Sequence, residues 1–300
     1  MTNSVSHLRW LEAESIYILR EVAAEFARPV LLYSIGKDSS VLVRLAKKAF
    51  APANIPFPLL HVDTGYKFAE MIEFRDRFCA AEGLDLIVYK SQEHLTERAD
   101  PFRLGTRACC GLLKTKALLD ALREYRFTAA IGGARREEEK SRAKERIYSI
   151  RDRNGQWDPR NQRPEVWNLL NSRLAEGQTM RVFPLSNWTE IDVWEYIQLE
   201  QIPVVPLYFA KSRPMILRGE GLIALENGSR ALAGETVENV MSRMRSLGCI
   251  HCSGAVRSTA DTLPAILDEL REARKSERQN RVIDHDEEGS METKKREGYF

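Results

Sequence analysis

The sequence predicts an α/β protein, a parallel twisted sheet with helices on both faces, followed by a C-terminal extension that is mixed and loop-rich. Short apolar runs of strand type alternate with helix-length amphipathic stretches along the first two thirds of the chain. The first two of those runs each end in a Gly-containing turn that leads into a helix. With 300 residues, 43% of them apolar, the chain has ample material for a large core. We read residues 1–210 as the α/β domain and 211–300 as the extension with its charged tail.

Leu8, Leu11, Ser15, Leu19, Val22 and Phe26 recur at helical spacing, and Pro29 closes that first helix. Val30–Tyr33 is a short buried-type strand, and Ser34-Ile35-Gly36-Lys37-Asp38-Ser39-Ser40 turns it into a helix. The unit recurs as a strand over 58–62, the turn Asp63-Thr64-Gly65 and a helix near Phe68–Ala81. A third strand over Leu84–Tyr89 leads to a loop with Pro101, a helix around Leu112–Tyr125, and a strand over 128–131 that ends at Gly132-Gly133. Such alternation demands right-handed crossovers between parallel strands. From Arg135 the sequence becomes charged and loop-rich, and order returns at Arg181–Leu185. A helix then runs from about Thr189 to Glu200, with Thr189 and Asp192 suited to a capping arrangement. The last helix opens at Asp261 and Pro264 and turns Ile266, Leu267 and Leu270 inward. The tail from Ser276 is too charged to build a core and reads as a mobile tail, a lid or a partner-binding strap.

Lys+Arg 45 against Asp+Glu 43 gives a formal charge of +2, so no bulk field calls for nucleic acid. The N-terminus lacks the apolar core of a signal peptide, and no segment approaches the ~18 apolar residues of a membrane span. These features predict a cytoplasmic protein with no membrane partner.

Gly36-Lys37 invites comparison with a Walker A loop, but Leu31 stands where that motif has Gly and Asp38 where it has Ser or Thr. The setting still suits an anion. Gly36 permits close backbone approach, Ser34, Ser39 and Ser40 offer hydroxyls, and Lys37 adds a charge beside the start of a helix. The competing reading is an ordinary turn with a helix cap. Arg135, Arg136, Lys140, Arg142 and Lys144 follow Gly132-Gly133 directly; they read as a solvated helix paired with Glu137, Glu138, Glu139 and Glu145, or as forks for an oxyanion.

Ser34-Ile35-Gly36-Lys37-Asp38-Ser39 resembles the pyrophosphate loop of the PP-loop ATP pyrophosphatases, related to the phosphoadenylylsulfate reductases. LLYSIGKDSSV, FPLLHVDTG, EFRDRF, GGARREEEKSRAKERIYS, WDPRNQRPE, RVFPLSNWTE and KKREGYF extend the likeness along nearly the whole chain, to the family of bacterial sulfate adenylyltransferase small subunits (the CysD type). The resemblance implies cleavage of ATP between its α- and β-phosphates with Mg²⁺ assisting, and adenylyl transfer in sulfur metabolism. It implies that Lys37, Asp38, Arg135 and Arg136 carry the chemistry. Ser34, Gly36, Ser39, Ser40, His61, Asp63, Thr64, Gly65, Gly132 and Gly133 would line the nucleotide site. Sulfate activation is uphill, so it also implies a GTPase large subunit (the CysN type) as partner.

Cys109-Cys110 and Cys249-Ile250-His251-Cys252 depart from that family pattern. Two close pairs supply four thiolates, the set for a 4Fe–4S cluster or a structural zinc, or they are simply small buried residues. The CC…CxxC order also resembles iron–sulfur adenylylsulfate reductases and the ATP pyrophosphatases of DNA phosphorothioation. That resemblance implies an alternative role in thiolation, with a cysteine desulfurase and DNA-modification proteins as partners. Cys79 reads as core.

Overall fold

The computed structural model describes residues 2–91, 101–219, 221–226 and 229–272; the tail from Ser276 lies outside them. Six strands form the central sheet: β1 (Pro29–Leu32), β2 (Leu59–Asp63), β3 (Leu86–Lys90), β4 (Ala129–Ile131), β5 (Tyr148–Arg151) and β6 (Thr179–Val182). Their order is β3-β2-β1-β4-β6-β5, and every pairing is parallel except the edge pair β5–β6.

Strand periodicity sorts the sheet's side chains onto two faces. Leu31, Leu59, Ile131 and Val182 enter a large cluster with α1 (Thr2–Glu25), α2 (Lys37–Phe50), α3 (Ala69–Ala81) and the helix Glu190–Glu200. Val30, Leu60 and Ala130 point the other way, onto Leu118, Ala121 and Leu122 of the helix Ala117–Glu124. Both faces are therefore covered, as runs of Val, Leu and Ala without polar interruption require. The cap expected at Thr189 is present: its Oγ accepts from Asp192 N–H at 3.1 Å while its own N–H donates to the Asp192 carboxylate at 2.7 Å.

The structure departs from the sequence reading in two places. Pro101 opens a helical segment, Pro101–Cys110, broken at Gly105 (φ 76°), instead of lying in a loop, which suits a residue that has no N–H to leave unpaired. That helix continues as a π-helical stretch, Gly111–Lys116, directly after the paired cysteines. The loop-rich extension, moreover, carries a second sheet: β7 (Lys211–Arg218), β8 (Gly221–Ala224), β9 (Thr236–Ser246) and β10 (Gly254–Arg257), all antiparallel, in the order β10-β9-β7-β8. No described helix is long and apolar enough to cross a membrane.

Candidate functional site

The strand ends β1, β2 and β4 lie side by side, and the predicted site residues follow them. After β1 the chain must turn sharply into α2. Ile35 takes the left-handed region at φ 68°, although it is β-branched and fully buried. Such a conformation costs about 1–3 kcal/mol and persists where surrounding structure enforces it. Gly36 stands at the N-cap of α2 in an extended conformation and brings no side chain of its own to the positive end of the helix. A Cβ at Gly36 would lie 3.3 Å from Ser34 Oγ and 3.4 Å from Tyr208 Oη, so the loop is closely packed there. Ser39 and Ser40 hydroxyls both donate to Gly36 O, at 2.9 and 3.2 Å, and Ser34 Oγ lies 3.3 Å from Ser39 Oγ. Lys37 is buried, with its ammonium 3.4 Å from an Asp38 carboxylate oxygen.

At the end of β2, His61 Nδ1–H donates to Tyr33 O at 2.8 Å. Burial, with Lys67 adding repulsion, pushes the imidazole down to about 3, so it is neutral at physiological pH. With Nδ1 carrying the proton, Nε2 is an acceptor, and it is buried without a hydrogen-bond partner among the described residues. His61 can therefore position a ligand but cannot serve as a base that titrates near neutrality. Burial disfavours the Asp63 carboxylate, but Gly65 N–H at 2.9 Å and Lys90 at 3.5 Å outweigh it and hold its pKa below the usual range. Thr64 is fully buried.

Gly132 and Gly133 bring the β4 end against the first loop. A Cβ on Gly133 would sit 2.8 Å from Asp38 Cβ and 3.2 Å from its backbone carbonyl carbon, so only glycine fits. Arg135 is buried and donates through Nη1 to Asp38, tying the two loops together. Arg136 donates to Asn187 Oδ1 at 2.7 Å and lies 3.7 Å from Glu165. Both arginines thus have partners within the chain. Around them the expected solvated helix reduces to a short 3-10 turn, Arg136–Glu138, and a single helical turn, Lys140–Ala143, with Arg142 and Glu145 buried.

The four cysteines come together only in part. Cys110, Cys249 and Cys252 form one buried cluster, whereas Cys109 packs on Leu113 in a neighbouring one; all four line a single pocket with Tyr66, Lys114 and His251. Cys110 Sγ and Cys252 Sγ are 3.3 Å apart. Sulfurs around a tetrahedral zinc, with bonds of about 2.3 Å, would stand roughly 3.8 Å apart. Among the described residues, no three His, Cys, Asp or Glu side chains are arranged to hold a metal ion. The thiol set as it stands does not fit a zinc ion, while all four thiols share the lining of one pocket. Cys79 is core, and burial raises its thiol to about 11.

Two features escape sequence reasoning. Tyr208, on a 3-10 turn after the helix Glu190–Glu200, accepts from Lys37 N–H at 2.8 Å and closes the first loop from 171 residues away. Arg181 on β6 is fully buried, and among the described residues none of its three guanidinium nitrogens has a hydrogen-bond partner. Its neighbour Arg151, by contrast, pairs with Glu145 at 2.6 Å and Ser149 Oγ at 2.6 Å.

Residues 28–255 match the phosphoadenosine phosphosulfate reductase domain. The chain is 58% identical over 301 residues to sulfate adenylyltransferase subunit 2 of Geotalea daltonii, covering 100% of both chains. It is 60% identical over 296 residues to the subunit of the same name from Myxococcus xanthus, covering 98% of this chain and 97% of that one. Among solved structures, Candida glabrata FMN adenylyltransferase superposes with a TM-score of 0.50 at 13% identity, over 93% of this chain and 89% of that one, which is a likeness of fold.

Proposed function

The chain belongs to the sulfate adenylyltransferase subunit 2 family, with its phosphoadenosine phosphosulfate reductase domain, and on that premise we propose that it converts ATP and sulfate to adenylyl sulfate and pyrophosphate. The observation that carries the reading is full-length identity at 58%, combined with a buried lysine at a helix start whose N-cap is a glycine. Residues 1–210 are then the nucleotide-binding domain and 211–300 an extension to it. The protein acts in the cytoplasm with a GTPase large subunit, because adenylyl transfer to sulfate needs a second energy source.

In this reading the β,γ-pyrophosphate of ATP sits on the start of α2, held by Lys37, the Gly36 backbone and the hydroxyls of Ser34, Ser39 and Ser40. Asp63, Thr64, Gly65, His61, Gly132 and Gly133 form the crevice that receives the nucleoside, at the carboxyl ends of the strands, where open parallel sheets bind ligands. A sulfate oxygen attacks the α-phosphorus and pyrophosphate leaves from the opposite side, so the protein's task is positioning and charge stabilisation. Asp38 is the loop's only carboxylate and would be the residue to hold a Mg²⁺ ion, which when bound would supply charge neutralisation for the leaving pyrophosphate. Arg135 holds the Gly132-Gly133 turn against the loop through Asp38, and Arg136, anchored on Asn187, is the arginine one third exposed toward an incoming oxyanion.

The test is pyrophosphate release from ATP by the chain co-purified with its GTPase subunit, with and without sulfate. Sulfate-dependent release that is abolished in Ser39→Ala and Asp38→Ala supports the reading. Unchanged release in both variants would refute the loop assignment. Release indifferent to sulfate would leave the loop standing and overturn the acceptor. The thiolation alternative draws its support from the cysteines alone.

A further inference from the structure

Arg135 and Arg136 are neighbours in sequence but differ in what faces them. Arg135 is buried against carboxylates: Asp38, with Glu137 at 3.8 Å and Glu138 at 3.9 Å. Arg136 instead donates to a neutral partner, the side-chain amide oxygen of Asn187, at 2.7 Å. The carboxylate beside it, Glu165, stands 3.7 Å away, beyond hydrogen-bond distance, and its other oxygen accepts the Tyr148 N–H at 2.9 Å. A guanidinium held by an amide keeps the charge that one held by a carboxylate has already spent.

The orientation of Asn187 is itself fixed. Its Nδ2 donates to both carboxylate oxygens of Glu14 on α1, at 3.0 and 2.9 Å. Turning the amide over would set its NH2 group against the guanidinium and its oxygen against the carboxylate, two repulsions in place of two attractions. The same helix holds the chain on either side of Asn187. Ser15 Oγ donates to Pro184 O at 2.9 Å and accepts from Trp188 Nε1 at 3.0 Å. Arg136 N–H donates to Ser186 O at 3.0 Å, so the arginine meets this segment through its backbone as well as its side chain.

We propose that Asn187 is a positioning residue for the acceptor oxyanion: oriented by Glu14, it aims Arg136 while leaving the guanidinium its charge for sulfate. The inference rests on the reading above in which Arg136 meets the incoming oxyanion, and adds what keeps that arginine competent. A tetrahedral dianion gains most from a guanidinium whose charge no carboxylate has neutralised. An aspartate in place of Asn187 would tether Arg136 more strongly, through a charge-assisted bond, and would cancel the charge that sulfate needs. Strength of tether and affinity for sulfate therefore run in opposite directions at this position. An asparagine that merely fastens α1 to the neighbouring segment has no such signature.

The experiment is a charge swap, Asn187→Asp combined with Glu14→Gln. It moves the carboxylate from position 14 to position 187, keeps the net charge, and lets the new amide donate to the new carboxylate as the old pair did in reverse. Pyrophosphate release is measured on the full chain in complex with its large subunit, with sulfate and ATP varied in turn. The KM for sulfate should rise about ten-fold while the KM for ATP stays within about two-fold and the unfolding midpoint holds. Glu14→Ala, which leaves Asn187 in place but frees its amide to turn, should raise the sulfate KM by about two- to five-fold with the ATP KM again unmoved. That variant carries the test should the swap fail to fold. An unchanged sulfate KM in the folded swap variant overturns the inference, and so does an equal rise in both KM values, which would mean a general disturbance of the site. Wild-type release indifferent to sulfate defeats the acceptor reading and this inference together. Sulfate-dependent wild-type release with an unmoved swap variant defeats this inference alone.

Discussion

His61 should make folding stability depend on pH in a way that one substitution removes. Its imidazole sits under the sheet edge, with Nδ1–H bonded to Tyr33 O, and burial lowers its pKa from 6.5 to about 3. The folded chain therefore refuses a proton that the unfolded chain accepts below pH 6.5. A histidine held neutral contributes fully above its unfolded value, and its contribution falls as pH drops from 6.5 toward 3. In that window the slope approaches about 1.4 kcal/mol per pH unit, and between pH 7 and pH 5 the loss from this group comes to about 2 kcal/mol. Asparagine can keep the bond to Tyr33 O but does not titrate. Urea unfolding of wild type and His61→Asn at pH 7 and pH 5 should thus show wild type losing about 2 kcal/mol more than the variant over the interval. Equal losses in the two proteins would mean that His61 is protonated in the folded state, which would refute both the buried neutral imidazole and its assignment as a positioning group.

Two further outcomes follow from close contacts and from a lone charge. Gly133→Ala places a Cβ 2.8 Å from Asp38 Cβ, so the two loops must separate; it should cost about 1–3 kcal/mol of stability in denaturant titration and lower pyrophosphate release more than ten-fold. Arg181→Met removes a buried guanidinium whose three nitrogens have no hydrogen-bond partner among the described residues, beside the like charge of Arg151, which depresses its pKa after burial does. The unfolding midpoint should rise, by an amount corresponding to about 1–4 kcal/mol; a fall would show that Arg181 is compensated in solution by an anion.

What the sequence made legible was local. Strand, turn and helix at 30–46 and 58–81 follow from apolar runs punctuated by Gly, and the cap at Thr189 follows from the spacing to Asp192. The antiparallel sheet after Lys211 was hidden because β9 buries Ser242, Arg243, Arg245 and Ser246, so its inner positions do not read as apolar. The arginines are satisfied by residues far along the chain, Arg245 by Glu190 at 2.8 Å and Arg243 by Glu269 at 2.9 Å, which no local pattern encodes. Tyr208 is invisible for the same reason. A tyrosine after a proline looks like core until its hydroxyl is found on Lys37 N–H. The CC and CxxC pairs announced sulfur chemistry, but spacing does not encode how they meet: all four cysteines line one pocket, with Cys110, Cys249 and Cys252 in one cluster and Cys109 packed on Leu113.

The loop itself shows why an acidic residue stands where a polyanion is to bind. Lys37 and Arg135 are both buried, and without a counter-charge they would repel each other in a medium of low dielectric. Asp38 lies against both, so the three groups carry a single net positive charge, and the site holds its shape before a nucleotide arrives. On the proposed reading the nucleotide would meet a preorganised set: two buried cations held on Asp38, a helix start with glycine at its N-cap, and a backbone strained at Ile35 beside Gly36. Because the cost of burying the cations and of twisting Ile35 has been met during folding, binding energy from the phosphates is left for orienting the α-phosphorus. Asp38 on this account is part of the machinery because it keeps Lys37 and Arg135 in place, which is why its loss and that of Ser39 should fail in different ways: Asp38→Ala through an unfolded or splayed loop, and Ser39→Ala through weakened hold on pyrophosphate in a loop that keeps its form.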